Sequence, residues 1–417
     1  MKTILSNCTI IPCTGGQSMT DMTLTIEDNR IADISNGGFS PPAGIAQGNG
    51  LQPRPLPDGS RWIDLAGGYL LPGMWEVHAH MGDLIPDPHN FLETEALTDY
   101  TIRAGRVAMD ALRAGITGIR CVGEDGFVDV AWKRAFDKGV MQGPRLCVCT
   151  RGISITGGHG HGTLGALEVD GPWEMRKAVR DNLKHGADQI KLMVTGGIMT
   201  RGETMEESQF MLDEIKAATE VAHNKGKRVA VHAWGEEGVK TALRGGVDSI
   251  EHGFLDDEAI DLILEREAYY VPTICQTQDI DHINELPKFQ IKKALAATVK
   301  HRESVHKAME AGVKIACGSD SPPISDFNKR ELEYMVKVGM PEMDALIAAT
   351  RTSADLCGYA DDLGTIETGK LADLVVLGSD PLRDISAVRD VRLVMKDGRL
   401  VNLDAGEGMA GYADLYF

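Results

Sequence analysis

The chain has 417 residues, 43% of them apolar and 25% charged, the usual balance of a globular protein with room for one large domain and a smaller one. A formal net charge of −18 argues against the basic patches that nucleic acid and anionic membrane surfaces require, so neither is expected as a partner. No stretch approaches 18 uninterrupted apolar residues, no apolar core follows the N-terminal lysine as in a secretory leader, and the eight cysteines are scattered, which together predict a cytoplasmic protein with free thiols.

Up to about residue 71 the chain reads as short strands. In TLTIEDNRIADIS (23–35), β-branched residues flank a turn-like EDNR. Gly and Pro then dominate residues 36–60, which predicts a long surface excursion, before WIDLAGGYLLPG resumes strand character. From residue 72 the pattern changes to apolar runs separated by amphipathic stretches. The runs are WEVHAH, GITGIRCVG, RLCVCTRGISITGG, DQIKLMVTGG, RVAVHAWG, VDSIEHG, AYYVPTI and VKIACGSDS. Cys147 and Cys149 lie within the third and read as strand core. Between the runs, segments such as DEIKAATEVAHNKG and RESVHKAMEAG place apolar residues at i, i+3 and i+4 and end on glycine, the pattern of capped helices. Eight strand–helix units predict an α/β fold, a (β/α)8 TIM barrel, with a doubly wound open sheet as the alternative. The tail, GTIETGKLADLVVLGSDPL and VRLVMKDGRLV, is strand-like again. Residues 1–71 and 360–417 are therefore expected to build one small β-sandwich domain, with the barrel formed by residues 72–359.

Barrel enzymes carry their chemistry at the C-terminal ends of the strands. There the first run ends in His78 and His80, whose side chains, two apart on a strand, share a face. TGGHGHG after the third run supplies His159 and His161, the fourth run holds Lys191, the fifth His232, the sixth ends in His252 and the eighth in Asp320. Singly, each has an ordinary reading: a hydrogen-bonded core histidine, a lysine that snorkels or pairs with a carboxylate, an aspartate that caps a helix. Their joint placement at strand ends is not explained that way. His78, His80, His232, His252 and Asp320 make a nitrogen and oxygen donor set that suits zinc. As an ammonium, Lys191 would repel metal. Burial near cations lowers its pKa, and the neutral amine can add carbon dioxide to give a carbamate, whose two oxygens can bridge a pair of metals sharing a hydroxide.

With PGMWEVHAH, IKLMVTGG, VAVHAWG, SIEHG and GSDS at these strand ends, and the tail LIAATRTSADLCG…LGTIETGKLADLVVL, the chain resembles the amidohydrolase superfamily over nearly its whole length. Lys191 and ITGGHGHG resemble the branch of Xaa-Pro dipeptidase (prolidase)-like and zinc carboxypeptidase-like enzymes, which includes ochratoxin-hydrolysing amidases. The resemblance implies two divalent metals, zinc the expected identity. His78, His80 and Asp320 would hold one and His232 and His252 the other, with N6-carboxylated Lys191 as the bridge. It implies Asp320 as general base and then acid, and His159 as a contact of the substrate's carbonyl oxygen or α-carboxylate. Arg151 matches a family position and equally reads as a structural ion pair. Arg201, in TRGETMEESQF, is a carboxylate binder or simply exposed. Three positions depart from the pattern. Glu76 stands where relatives have Asp, and His161, expected at the substrate site, also where many have Asp. Trp234 stands where they have His or Tyr. Trp offers only an N–H donor and a broad apolar face, which favours a bulky or aromatic substrate. The expected function is hydrolysis of an amide bond in a dipeptide or N-acyl amino acid. The alternatives are a mononuclear, imidazolonepropionase-like hydrolase or deaminase of a cyclic amide or heterocycle, in which Lys191 is not carboxylated, and a non-catalytic scaffold, which would be expected to have lost ligands. A small-molecule partner and a homo-oligomer are expected, the latter by analogy with related barrels.

Overall fold

The apolar runs contribute mostly buried strands, and the amphipathic stretches contribute helices. The computed structural model describes residues 1–42, 51–82, 96–161 and 166–406. Met74–Ala79, Ile116–Cys121 and Arg145–Cys147 pair in parallel. Gln189–Met193, Arg228–Ala233, Ser249–His252, Tyr269–Val271 and Lys314–Ile315 form a second parallel series, edged by Ile153–Ser154 and Leu167–Glu168. Backbone hydrogen bonds join the two series at both ends: Asp188 N to Val148 O at 2.7 Å, and Val77 N to Cys317 O at 3.0 Å. Burial on both faces accounts for the near-continuous hydrophobic reading of these strands, since a sheet covered by helices has no solvent side. In Met74–Ala79 and Ile116–Cys121 every residue is buried, including Glu76, His78 and Arg120.

The helices begin and end where the sequence signals it. Gly171–His185 has proline in its first turn and stops at Gly186, whose φ of 110° is the left-handed conformation a helix C-terminus favours. The side chain of Asp256 caps Asp257–Arg266 by accepting from Ala259 N at 2.8 Å. DEIKAATEVAHNKG lies in Leu212–His223 and the turn that follows, and RESVHKAMEAG closes the 23-residue helix Lys288–Glu310.

Both ends of the chain share one further sheet. Its strands run in the spatial order Arg399–Leu400, Val391–Lys396, Leu374–Leu377, Tyr69–Pro72, Lys2–Ile10, Met19–Glu27 and Arg30–Asn36. Lys2–Ile10 divides its pairing. Thr3 to Ser6 pair with Arg61–Asp64, whereas Thr9 and Ile10 pair with Tyr69 and Leu70, and between them Asn7 has φ 59°. The sheet has its own core, which includes Leu5, Leu24, Ile63, Leu70, Val376 and Met395. Alternate residues of the same strands, Leu71, Val375 and Leu377, belong instead to the main core beneath. Of the excursion over 36–60, residues 43–50 lie outside the described residues, as do residues 407–417 of the tail; the rest of the excursion holds the short strand Arg54–Pro55. All eight cysteines are free thiols. Among the described residues no helix is long and apolar enough to cross a membrane.

Candidate metal centre

The C-terminal ends of five parallel strands bring His78, His80, Lys191, His232, His252 and Asp320 to the wall of one pocket, together with His159, Met193, Ile198, Met199, Trp234 and Gln276. His78 Nε2 lies 3.3 Å and His80 Nε2 3.5 Å from the same oxygen, Asp320 Oδ1. Lys191 Nζ is 3.5 Å from His78 Nε2. One ligand atom each from His78, His252 and Asp320 falls within 4.8 Å of the others, close enough to hold a single ion. The rings of His232 and His252 meet edge to face at 4.6 Å.

The backbone bends to achieve this. His252 has φ 73° and Asp320 φ 56°, left-handed conformations that cost a residue with a β-carbon on the order of 1–3 kcal/mol. Strand alternation would otherwise send Glu251 and His252 to opposite faces. With the turn at His252, both serve the same site.

Each of three imidazoles is oriented through its far nitrogen. Nδ1 of His78 pairs with Glu251 Oε2 at 2.9 Å, Nδ1 of His80 with Gly123 O at 2.9 Å, and Nδ1 of His252 with Thr273 Oγ1 at 2.7 Å. This leaves Nε2 for the pocket, the arrangement that metal-binding histidines adopt. Glu251 is itself fully buried and held by Arg120, whose Nη2 lies 2.7 Å from each carboxylate oxygen, and by Ser249 Oγ at 2.6 Å. Glu76 accepts from His78 N and Ser319 N, both at 2.9 Å, and so ties the end of the first strand to the loop carrying Asp320.

Burial pushes His78, His232 and His252 well below the ordinary imidazole value and His80 to about 4, with Lys191 adding to each shift. Burial also lowers the pKa of Lys191 itself, favouring the neutral amine. Desolvation lifts Asp320 to about 7 against the pull of Lys191, while the Glu76 and Glu251 charges add to the rise. Neutral imidazoles, an amine able to lose its proton and a carboxylate form a donor set that fits divalent cations.

The other candidates divide. His159 is 5% exposed; its ring stacks on His232 at 4.0 Å and its Nδ1 bonds Glu203. Trp234 is buried on the pocket wall, its indole parallel to the His252 ring at 4.9 Å. Three residues do not line the pocket. Arg151 pairs with Asp181 at 2.6 Å and lies over Phe127. Arg201 is exposed with its guanidinium 4.6 Å from the Phe289 ring centre. His161, half-buried, has its Nδ1 2.9 Å from Gly158 O. Sequence reasoning missed Glu251, Arg120, Thr273 and Glu203. The signal for the first two was a charged residue inside an apolar run, SIEHG and GITGIRCVG; Thr273 and Glu203 sit in loops and gave none.

The sequence profile of the Amidohydrolase family matches residues 69–401. Ochratoxinase from Aspergillus niger is 30% identical over 365 residues, spanning 79% of this chain and 75% of its own, and its crystal structure aligns with a TM-score of 0.82 over 96% of this chain and 95% of its own. A crystal structure of a Xaa-Pro dipeptidase with methionine bound in the active site is 34% identical and aligns with a TM-score of 0.85, covering 96% of this chain and all of the other. Imidazolonepropionase from Porphyromonas gingivalis is 36% identical over 102 residues, 23% of this chain and 24% of its own.

Proposed function

The chain belongs to the amidohydrolase family, and from that premise we propose that it is a binuclear metal-dependent hydrolase that cleaves the amide bond of a dipeptide or N-acyl amino acid. The observation that carries this reading is Lys191. A buried lysine 3.5 Å from His78 Nε2, its pKa lowered by desolvation among imidazoles that burial shifts towards the neutral form, supports the carbamate reading. In that step the neutral Nζ forms a bond to the carbon of carbon dioxide and loses a proton, leaving an anion with two oxygens. His78, His80 and Asp320 would hold one cation, His232 and His252 the other, and carboxylated Lys191 both. Bound there, zinc or a similar cation would supply an acidified water and a Lewis acid for the scissile carbonyl.

Asp320 sits against both His78 and His80, and its carboxyl, pushed up to about 7, can take a proton from the attacking water and return it to the departing amine. In this reading His159, on the pocket wall, contacts the substrate's oxygen. Met193, Ile198, Met199 and Trp234 give the pocket an apolar wall, which supports a bulky uncharged side chain next to the cleaved bond. The pairing of the parallel strands and the two backbone joins support a closed (β/α)8 barrel over residues 72–359. The sheet shared by both ends, with its separate core, supports a β-sandwich domain of residues 1–71 and 360–417. Eight free thiols fit a reducing cytoplasm.

A second reading, a mononuclear hydrolase of a cyclic amide, draws on the partial match to imidazolonepropionase and on the compact His78–His252–Asp320 group, which is sufficient for one ion. Metal content after zinc loading separates them, together with a panel of Xaa-Pro and other dipeptides, N-acyl amino acids, cyclic amides and aminated heterocycles read for free amino acid and ammonia. Two metals per chain, falling to one or none in Lys191→Ala, with amino acid released, is the expected result. One metal in both proteins, with ring opening or ammonia release, would replace the first reading by the second.

A further inference from the structure

His159 projects from a loop after the third parallel strand, so no regular element fixes its ring. What holds it comes from 44 residues further along, in the loop that follows the fourth strand. The Glu203 carboxylate bonds His159 Nδ1, and both side chains are buried. The same carboxylate accepts from Gly197 N at 2.9 Å and from Gln209 Nε2 at 3.2 Å, while Gln209 Oε1 accepts from His159 N at 2.9 Å. Gln209 thus grips the backbone of one partner and the side chain of the other. Gly197 is wedged against the site: a β-carbon there would stand 2.5 Å from His159 Cε1 and 2.8 Å from His232 Nε2. From the helix Lys288–Glu310, Lys293 Nζ donates to Gly197 O at 2.8 Å and Thr200 O at 2.7 Å, pinning this loop from outside.

We propose that Glu203 is the positioning residue of His159, holding the proton on Nδ1 so that Nε2 is the nitrogen turned to the pocket and to the substrate's oxygen. This rests on reading the pocket as an amide-hydrolysing site. An ionised carboxylate only accepts, so the ring nitrogen it touches must carry the hydrogen. Although burial pushes Glu203 up, the hydrogen bond from His159, the Gly197 N–H and the Lys293 charge hold it below the usual carboxylate range, which keeps it an acceptor. Stacking on His232 at 4.0 Å and 16° then sets the plane of the ring. The hydrogen bond sets its rotation within that plane.

The test combines imidazole ¹⁵N spectra of the zinc-loaded protein, with the His159 signals assigned by their loss in His159→Asn, and kinetics on an Xaa-Pro dipeptide. The wild-type ring is expected protonated at Nδ1. Glu203→Leu should abolish that form and lower kcat/KM about 10–100-fold, chiefly through kcat, as loss of a partner that orients an active-site histidine does. Placed in a His159→Asn background, the same change should cost less than about threefold more. Glu203→Gln keeps a carbonyl acceptor and should keep both the Nδ1–H form and most of the rate, which also guards against a Leu variant that does not fold. An Nδ1–H that survives in Glu203→Leu, one that is lost in Glu203→Gln, or a full further loss in the His159→Asn background would overturn the proposal. Failure to hydrolyse any compound of the panel would defeat the functional reading, and the spectra would still decide the role of Glu203.

Discussion

At the scale of single residues, the candidate ligands are held in place by costs incurred elsewhere in the chain. His252 and Asp320 occupy left-handed backbone conformations, and Glu251 is a buried charge that needs Arg120 and Ser249 to be tolerated. Such features persist where the surrounding structure over-determines them. Asp320→Asn leaves shape and the left-handed turn intact, since asparagine tolerates that conformation, yet removes the proposed proton acceptor. It is expected to keep the fold, retain most of its metal by elemental analysis, and lose about 10²–10⁴ in kcat. A rate within twofold of wild type would remove Asp320 from proton transfer. His78, His80, His232, His252, Lys191 and Asp320 were legible in the sequence because each is a polar residue within or at the end of an apolar run. Glu203 was not, because it lies in a polar loop where a glutamate is unremarked, and only the fold shows that His159 is its neighbour. Arg151 and Arg201 show the converse: a basic residue near a pocket in sequence is as readily satisfied by Asp181 or by the face of Phe289.

At the scale of elements, the apolar runs were readable and their interruptions were not. RLCVCTRGISITGG reads as one strand, but the structure divides it into Arg145–Cys147 and Ile153–Ser154. Thr150 between them has φ 66°, and its N–H is taken at 2.8 Å by Asp129, a buried carboxylate from the preceding helix. That bond competes with the strand ladder, and periodicity carries no trace of it. The loop of residues 196–203 is a comparable case, since its path depends on contacts to two histidines and a distant helix. Gly197→Ala should therefore disturb the site without unfolding the protein: a loss of at least about tenfold in kcat/KM with a thermal midpoint within a few degrees of wild type. Unchanged kinetics in that variant would show that the loop can yield by several tenths of an ångström at no cost to the site.

At the scale of the whole molecule, stability should carry the mark of buried carboxyls outside the pocket. Glu331 accepts from Ile274 N at 2.6 Å and Cys275 N at 2.9 Å, and burial pushes it from 4.5 to about 8. Between those two values the folded state holds a proton that the unfolded chain has released. Stability from this group is therefore full below about pH 4.5 and falls as pH rises towards 8, by up to about 1.4 kcal/mol per pH unit. Urea midpoints measured from pH 5 to 8 should show a shallower decline in Glu331→Gln than in wild type, whatever the variant's absolute stability; parallel curves would exclude Glu331 as the source.

The sheet that joins the two ends of the chain also sets an order of events during synthesis. Tyr69–Pro72 has Leu374–Leu377 as its antiparallel neighbour, some 300 residues later. At ~5–20 residues per second, the nascent chain waits roughly 15 to 60 s for that partner. Throughout that interval the strand's open edge, and the apolar side chain of Leu71 beside it, face whatever else is near the ribosome. The intervening strands and helices can meanwhile pair with close neighbours. Tyr69–Pro72 is thus among the last strands of this sheet to be completed, and a ribosome stalled before residue 374 would leave that edge without its native partner.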